Sequence, residues 1–298
     1  MDYKKTIAVG AALTAASYMS YRAISEDMLN KVFYHKEFQD EIEQKYLDWI
    51  SSSNAFQVKV KSFDGLKLNA YNIHNHDDDR YMIMVHGIGR NKSSLYSRAY
   101  EFAKLGYNIL LIDQRAAGDS QGEYYTYGVK EAQDLQLWIS YLTKKYPQTK
   151  ICLYGLSMGA ATIMMATAYE LPENVKCLVE ESGYSSMEEE FAYLIKRDYK
   201  LSFTYPVVKL LESKMEKKFG MSYGDVSPKL CLEENEVPIL FIHGDEDKTV
   251  PFEMATILYN HNKGVKKYYP IHGAGHTECN SDENYYRNVD EFIRTYLG

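Results

Sequence analysis

The stretch Ile151-Cys152-Leu153-Tyr154-Gly155-Leu156-Ser157-Met158-Gly159 decides how this chain reads. Its first four residues are apolar without alternation, as in a strand buried on both faces. From Met158 onward a run rich in alanine and methionine reads as a helix. The chain must therefore turn sharply around Ser157. A serine on such a turn takes a strained backbone conformation and projects its hydroxyl above the sheet. Backbone approaches it closely from either side, so only glycine fits at Gly155 and Gly159. The amino terminus of the following helix adds positive potential where an oxyanion would develop. The plain alternative is a glycine-rich turn with a capping serine. A strand before the turn and a helix after it favour the reactive reading.

Working outward, residues 81–85, 107–112, 175–179 and 239–242 are further short apolar runs without alternation. Helical stretches fall between them at 93–104, 129–145 and 158–169. Repeated strand–helix–strand units imply a parallel sheet covered on both faces, joined by right-handed crossovers. Ahead of this region Phe56, Val58 and Val60, then Leu66, Leu68 and Ala70, alternate about Asp64-Gly65, which predicts a β-hairpin.

The rhythm breaks once, after Val179. Residues 185–229 are charged, aromatic and helical, with no strand. The sheet faces are already covered, so the remaining place for this segment's apolar side chains is over Ser157, as a lid. Phe191, Phe203 and Tyr205 are the side chains expected to bind substrate there. A helical pair packed permanently on the rim is the alternative. The expected architecture is α/β: a three-layer sandwich with a mostly parallel central sheet and a helical lid inserted after the sixth strand.

A serine hydroxyl is a weak nucleophile and needs a base, itself oriented by a carboxylate. For a serine on this kind of turn the chain order is serine, acid, histidine. Of His243, His261, His272 and His276, the last lies in Gly273-Ala274-Gly275-His276, a small-residue loop following the short strand at 266–271. It is the expected base. His272 abuts the strand end, His243 begins a loop, and His261 sits near a helix end, where structural roles suit them. For the acid, Asp245, Glu246 and Asp247 follow one strand, and Glu180 and Glu181 end another. Spacing alone leaves that choice open. Asp113 and Arg115 read as an ion pair bracing a loop.

Residues 55–298 resemble the α/β-hydrolase superfamily, close to its bacterial serine aminopeptidase-like and esterase-like branch. Besides the turn at Ser157, three stretches carry the resemblance. Met84-Val85-His86-Gly87-Ile88-Gly89 looks like the family's oxyanion loop. Asp113-Gln114-Arg115-Ala116-Ala117-Gly118-Asp119-Ser120-Gln121-Gly122 looks like its Asp-x-Arg-x-x-Gly-x-Ser-x-Gly loop. His243-Gly244-Asp245-Glu246-Asp247-Lys248-Thr249-Val250-Pro251 looks like its acid loop, and Gly275-His276 matches its histidine loop. Ala117 departs from the family, since many relatives carry histidine there. The resemblance implies Asp247 as the acid and the backbone amides of Ile88 and Met158 as oxyanion donors. It further implies acyl transfer to water without metal or organic cofactor. A carboxylesterase acting on a small-molecule ester comes first, an aminopeptidase or acyl-peptidase-type hydrolase second. A non-catalytic binding protein that keeps the fold is the reading of another class.

Composition sets outer bounds. At 298 residues, with 45% hydrophobic and 25% charged, the chain can form one large domain or two small ones. A net charge of -7 without a basic run argues against a nucleic-acid partner. Cys152, Cys177, Cys231 and Cys279 show no CxxC spacing, so neither a zinc site nor a redox pair is expected. The 28 tyrosines suggest partly wet aromatic surfaces or a lined cleft.

At the amino terminus, Lys4 and Lys5 precede an uncharged stretch at 6–21, short of the roughly 20 residues a membrane span needs. A short retained anchor, a cleaved signal peptide and a surface helix all fit it. Residues 1–24 are thus expected to govern membrane association, with a membrane-anchored, secreted or cell-surface location fitting better than a cytoplasmic one. Residues 25–54 read as a helical linker, and Ser51-Ser52-Ser53-Asn54 as the boundary of a hydrolase domain at 55–298.

Overall fold

The computed structural model describes residues 3–34, 37, 38, 41–77 and 79–298, with side chains from residue 16 onward. Two helices lead, α1 (Tyr3–Phe33) and α2 (Gln44–Ser52). The hairpin β1 (Ala55–Lys61) and β2 (Lys67–Ile73) follows, antiparallel, with Val58 opposite Ala70. Next come β3 (Arg80–Val85), α3 (Tyr96–Lys104), β4 (Asn108–Ile112) and α4 (Val129–Lys145). Then β5 (Lys150–Leu156), α5 (Met158–Met165) and β6 (Val175–Glu181) complete the first part of the sheet. The excursion after β6 carries α6 (Met187–Tyr199), α7 (Tyr205–Phe219) and α8 (Pro228–Cys231). Finally β7 (Ile239–Gly244), α9 (Phe252–His261), β8 (Lys266–Ile271) and α10 (Tyr285–Leu297) close the chain.

Among the described residues the sheet has eight strands in the order β1-β2-β4-β3-β5-β6-β7-β8. β2 pairs antiparallel with both β1 and β4, and every pair from β4 to β8 is parallel. The unalternating apolar runs make sense in this setting, because both sheet faces are covered. Ile151 and Leu153 of β5 join one buried cluster with Leu135, Trp138 and Ile139 of α4. Cys152, Tyr154 and Leu156 join the other, with Phe102 of α3 and Val289, Phe292 and Ile293 of α10. Side chains two apart share a face, so each strand feeds both layers. The three-layer α/β sandwich and the helical excursion after β6 are both present. The swap of β3 and β4 in the sheet puts β5 between β3 and β6, with its carboxyl end under the excursion.

The amino-terminal segment differs from expectation. The boundary between residues 24 and 25 falls inside α1, which runs unbroken to Phe33. Met28, Leu29, Val32 and Phe33 are buried, and the Phe33 ring stacks on Phe219 of α7 at 4.3 Å. These positions fall on one helical stripe, and α7 supplies its apolar partner. Within residues 25–54, the end of α1 thus packs with the excursion. α2 leans on α3 through Tyr46 and Trp49, each 5.6 Å from the Tyr100 ring. Among the described residues no helix is long and apolar enough to cross a membrane. Of the stretch at 6–21, the side chains up to Ala15 lie outside the described residues.

Candidate active site

Ser157 leaves the end of β5 at φ 57° and ψ −119° and enters α5 one residue later. Such backbone costs about 1–3 kcal/mol and persists only where its surroundings over-determine it. Here they do. Ser157 N–H donates to Glu181 O at 2.8 Å, and Ser157 O accepts from Ala161 N–H at 3.1 Å. A Cβ on Gly155 would lie 2.3 Å from Gly159 O, and one on Gly159 would lie 2.1 Å from Val85 O. Any side chain at either position would force α5 off the strands.

Two loops meet at the serine. The one after β7 carries Asp247, and the one after β8 carries His276. They are tied to each other by Asp245 N–H to Ile271 O and Glu246 N–H to Ala274 O, each at 3.1 Å. Asp245 Oδ1 also accepts from Gly273 N–H at 2.7 Å, and its Oδ2 lies 2.8 Å from His272 Nδ1. Asp245 and His272 thus brace the loops from outside. His276 Nε2 stands 2.9 Å from Ser157 Oγ, and His276 Nδ1 stands 2.7 Å from Asp247 Oδ2. With Asp247 ionised, Nδ1 donates to it and Nε2 is left to accept the serine proton. The other oxygen, Oδ1, accepts from the Thr249 and Val250 amides at 2.8 and 2.9 Å. Burial alone would raise the Asp247 carboxyl. Hydrogen bonds from His243 and His276 outweigh it and hold the group well below the usual carboxylate range.

The two candidate acids at the end of β6 are occupied differently. Glu181 is buried and takes Arg98 Nη2 at 2.8 Å, Tyr154 OH at 2.5 Å and Tyr285 OH at 2.6 Å. Burial opposes its charge, but Arg98 and these hydrogen bonds keep its carboxyl below the ordinary value. The same Arg98 nitrogen donates to Thr277 O at 2.7 Å and Asn280 Oδ1 at 3.0 Å, so Glu181 steadies the residue after His276 through Arg98. Glu180 is fully buried, and burial pushes its carboxyl up to about 8 against the pull of His243. Sequence reasoning missed Arg98, which sits among ordinary polar residues of α3 and gives no signal there.

Ile88 and Met158 flank Ser157 in the wall of a cavity of about 990 Å³. The loop bearing Ile88 is held by Gln114 Nε2 donating to His86 O at 2.7 Å and by Phe38 N–H donating to Gly89 O at 2.8 Å. Asp113 and Arg115 brace loops, but not as a pair. Asp113 takes Lys92 Nζ at 2.5 Å, whereas Arg115 binds Asp134 at 2.8 Å and Asp64 at 2.9 Å. Among the described residues no group of three or more His, Cys, Asp or Glu side chains is set to hold a metal ion.

The three expected lid residues do not line this cavity. Phe191 is fully buried between Tyr127 and Tyr223, with ring centroids 5.5 and 6.1 Å away, and forms the core of the cap. Phe203 and Tyr205 are 64% and 59% exposed at the corner between α6 and α7. The wall is made instead by Glu190, Leu194, Arg197 and Asp198 of α6, spaced i, i+4, i+7 and i+8 on one face. Met28 and Val32 of α1 line it as well. Ranking the segment by its large apolar residues picked the side that packs inward. The helical spacing of the mixed-polarity residues was the signal that could have found the wall. Five of the chain's tyrosines, Tyr34, Tyr46, Tyr96, Tyr127 and Tyr184, also line the cavity.

A family model described as the alpha/beta hydrolase fold matches residues 81–226, which hold Ile88, Ser157 and most of the cap. The chain belongs to the α/β-hydrolase superfamily. This α/β hydrolase is 26% identical over 237 residues to the uncharacterized protein YqkD of Bacillus subtilis, covering 78% of this chain and 77% of that one. Protein bem46 of Schizosaccharomyces pombe is 22% identical over 196 residues, 64% of this chain and 59% of its own length. Among solved structures, the esterase Pf2001 of Pyrococcus furiosus superposes with a TM-score of 0.70 at 25% identity, covering 89% of this chain and all of that one. The acylaminoacyl peptidase of Pyrococcus horikoshii superposes with a TM-score of 0.63 at 18% identity, over 86% of this chain and 43% of that one. The latter is a likeness of fold.

Proposed function

We propose that this α/β hydrolase is a serine carboxylesterase working through an acyl-enzyme, with Ser157 as nucleophile, His276 as base and Asp247 as the orienting acid. One observation supports this above the others: Ser157 Oγ, His276 and Asp247 form an unbroken hydrogen-bonded line, with contacts of 2.9 and 2.7 Å, at the floor of a cavity. Ser157 Oγ attacks the ester carbonyl carbon while its proton passes to His276 Nε2. Asp247 stabilises the resulting imidazolium. The carbonyl oxygen gains negative charge facing the backbone N–H groups of Ile88 and Met158, donors that are already fixed in place. The tetrahedral intermediate collapses, and the alcohol leaves with the proton from His276. Water, activated by the same nitrogen, then releases the acid and restores Ser157.

The choice of ester over peptide rests on the partly apolar wall built by Ile88, Met158, Leu194 and Val250, and on the likeness to an esterase along nearly the whole chain. The test is labelling by an active-site-directed fluorophosphonate, with the modified peptide mapped, beside a rate comparison of p-nitrophenyl esters and aminoacyl p-nitroanilides. Label on Ser157 and faster ester turnover are expected. A label-free Ser157 in folded protein would overturn the assignment.

A further inference from the structure

Glu190 is the member of the cavity wall that the reaction leaves unused. It sits on the α6 face that lines the same cavity as Ser157, 5% exposed, and its Oε2 is buried with no hydrogen-bond partner. A buried carboxyl oxygen without a partner is costly and calls for an explanation. The surroundings decide its state. Asp247 from the loop after β7 and Asp198 from α6 disfavour a charge on it, and only Arg197 of α6, itself paired with Asp198 at 2.5 Å, favours one. From the other elements the titratable and charged groups that line the same cavity include Lys31 of α1, Tyr96 and Arg98 of α3, the buried Tyr127 and Tyr184, and His276. Burial with these neighbours pushes the Glu190 carboxyl up to about 8. That direction favours the protonated acid, which is a hydrogen-bond donor.

Resting on the esterase reading above, we propose that Glu190 is a specificity residue whose carboxyl donates a hydrogen bond to an acceptor oxygen in the acyl chain of the substrate. The substrate class is then an oxygenated ester, carrying an ether, hydroxyl or second carbonyl oxygen, and not a plain hydrocarbon ester. A hydrocarbon chain at this position leaves the donor unpaired, and a site built to bond a polar group rejects the analogue that lacks it. An ammonium-bearing chain requires the ionised form, which the two nearby aspartates oppose.

The experiment compares p-nitrophenyl hexanoate with isosteres in which one methylene is replaced by an ether oxygen at successive positions, and with the matching secondary-amine isostere, each normalised to its hydroxide hydrolysis rate. For the native chain, kcat/KM should favour at least one ether ester by about tenfold or more. Glu190→Gln, whose amide still donates, should keep the preference. Glu190→Leu should lose it. Above pH 8 the preference should fade in the native chain and persist in Glu190→Gln. Thermal unfolding checks that each variant is folded. No ether preference, or the same preference in Glu190→Leu, overturns the proposal. A preference for the amine isostere that Glu190→Gln removes also overturns it, in favour of an ionised carboxylate. If the native chain turns over no ester, the esterase reading fails by itself. The same ligands are then compared by calorimetric binding to Ser157→Ala, where an ether preference absent from Ser157→Ala/Glu190→Leu supports the proposal and its absence overturns it.

Discussion

Two histidines converge on one oxygen: His243 Nε2 stands 3.3 Å from Asp247 Oδ2, the atom that His276 Nδ1 reaches at 2.7 Å. The His243 N–H is shared with Val250 O at 2.9 Å, so this nitrogen carries the proton. The carboxylate that steadies His276 is therefore itself held by a fully buried side chain on β7. His243→Leu removes that donor and orphans Val250 O. A lost hydrogen bond to a charged group is worth about 1.5–3 kcal/mol, so kcat should fall by about ten- to a hundredfold. Because His243 helps keep the Asp247 carboxyl low, the acid limb of the kcat/KM profile should also move to higher pH. A fall in kcat with an unmoved acid limb would mean that His243 is only structural.

Asp247→Asn is expected to cost about 10⁴-fold in kcat, by loss of the tautomer that keeps Nε2 free. Asp245→Asn should cost far less, since its oxygens meet Gly273 and His272 on the outer side of the loops. Glu181→Gln probes a different quantity. It loosens Arg98, and with it the carbonyl of Thr277, so its effect should be on thermal stability as well as rate. Steady-state hydrolysis and melting of all three, in one assay, separate these roles. Ser157→Ala and His276→Ala should each remove nearly all turnover, and the double variant should lose little more than either alone, because the two groups act as a unit.

Glu180 gives a stability prediction with a definite sign. Its carboxyl titrates near 8 in the folded chain and near the ordinary glutamate value of about 4.3 when unfolded. Between those pH values the folded state holds the proton more tightly, so stability falls as pH rises. Glu180→Gln abolishes that loss. The melting temperature of the variant minus that of the native chain should be smallest near pH 4.5 and grow more positive toward pH 8. Differential scanning calorimetry across that range reads it, and a flat difference would show that Glu180 is ionised throughout.

The amino terminus is predicted to divide inside α1. Removing residues 1–16 should leave the fold and the turnover intact, and change only solubility or location. Removing residues 1–33 takes away Met28, Leu29, Val32 and Phe33, each worth about 1.5–3 kcal/mol of burial. That chain should melt markedly lower and lose one wall of the cavity. Equal melting temperatures for the two truncated chains would show that α1 does not support the cap.

What the sequence made legible follows from how local each signal is. The strands were readable because burial on both faces leaves no polar residue in runs such as Met82-Ile83-Met84-Val85, and the turn at Ser157 because its glycines are obligatory. The excursion after β6 was visible as a break in rhythm. The swap of β3 and β4 was not, since strand order lies in crossovers that leave no mark on composition. Likewise α1 could not be joined to α7 from sequence alone: the Phe33–Phe219 stack links residues far apart in the chain. The wall of the cavity was misjudged for a related reason. Phe191 is more apolar than Leu194 and Glu190, yet burial in the cap core and contact with a substrate are different fates for the same helix.

That difference yields the last prediction. Leu194 on α6 and Val32 on α1 both line the cavity, whereas Phe203 and Tyr205 stand exposed at the helix corner, their ring centroids 6.3 Å apart. Trimming a wall residue enlarges the space for an acyl chain, and one good apolar contact is worth roughly 1–3 kcal/mol of discrimination. Leu194→Ala and Val32→Ala should therefore shift the ratio of kcat/KM between butanoate and decanoate p-nitrophenyl esters toward the longer chain, by about tenfold. Phe203→Ala and Tyr205→Ala should leave that ratio where it is, because no cavity atom moves. Val32 is also buried, so its variant is expected to lose some stability, and Leu194→Ala is the cleaner reading of the two. If Phe203→Ala shifts the profile while Leu194→Ala does not, the acyl chain runs toward the α6–α7 corner, and the floor-to-α6 cavity is not where it binds.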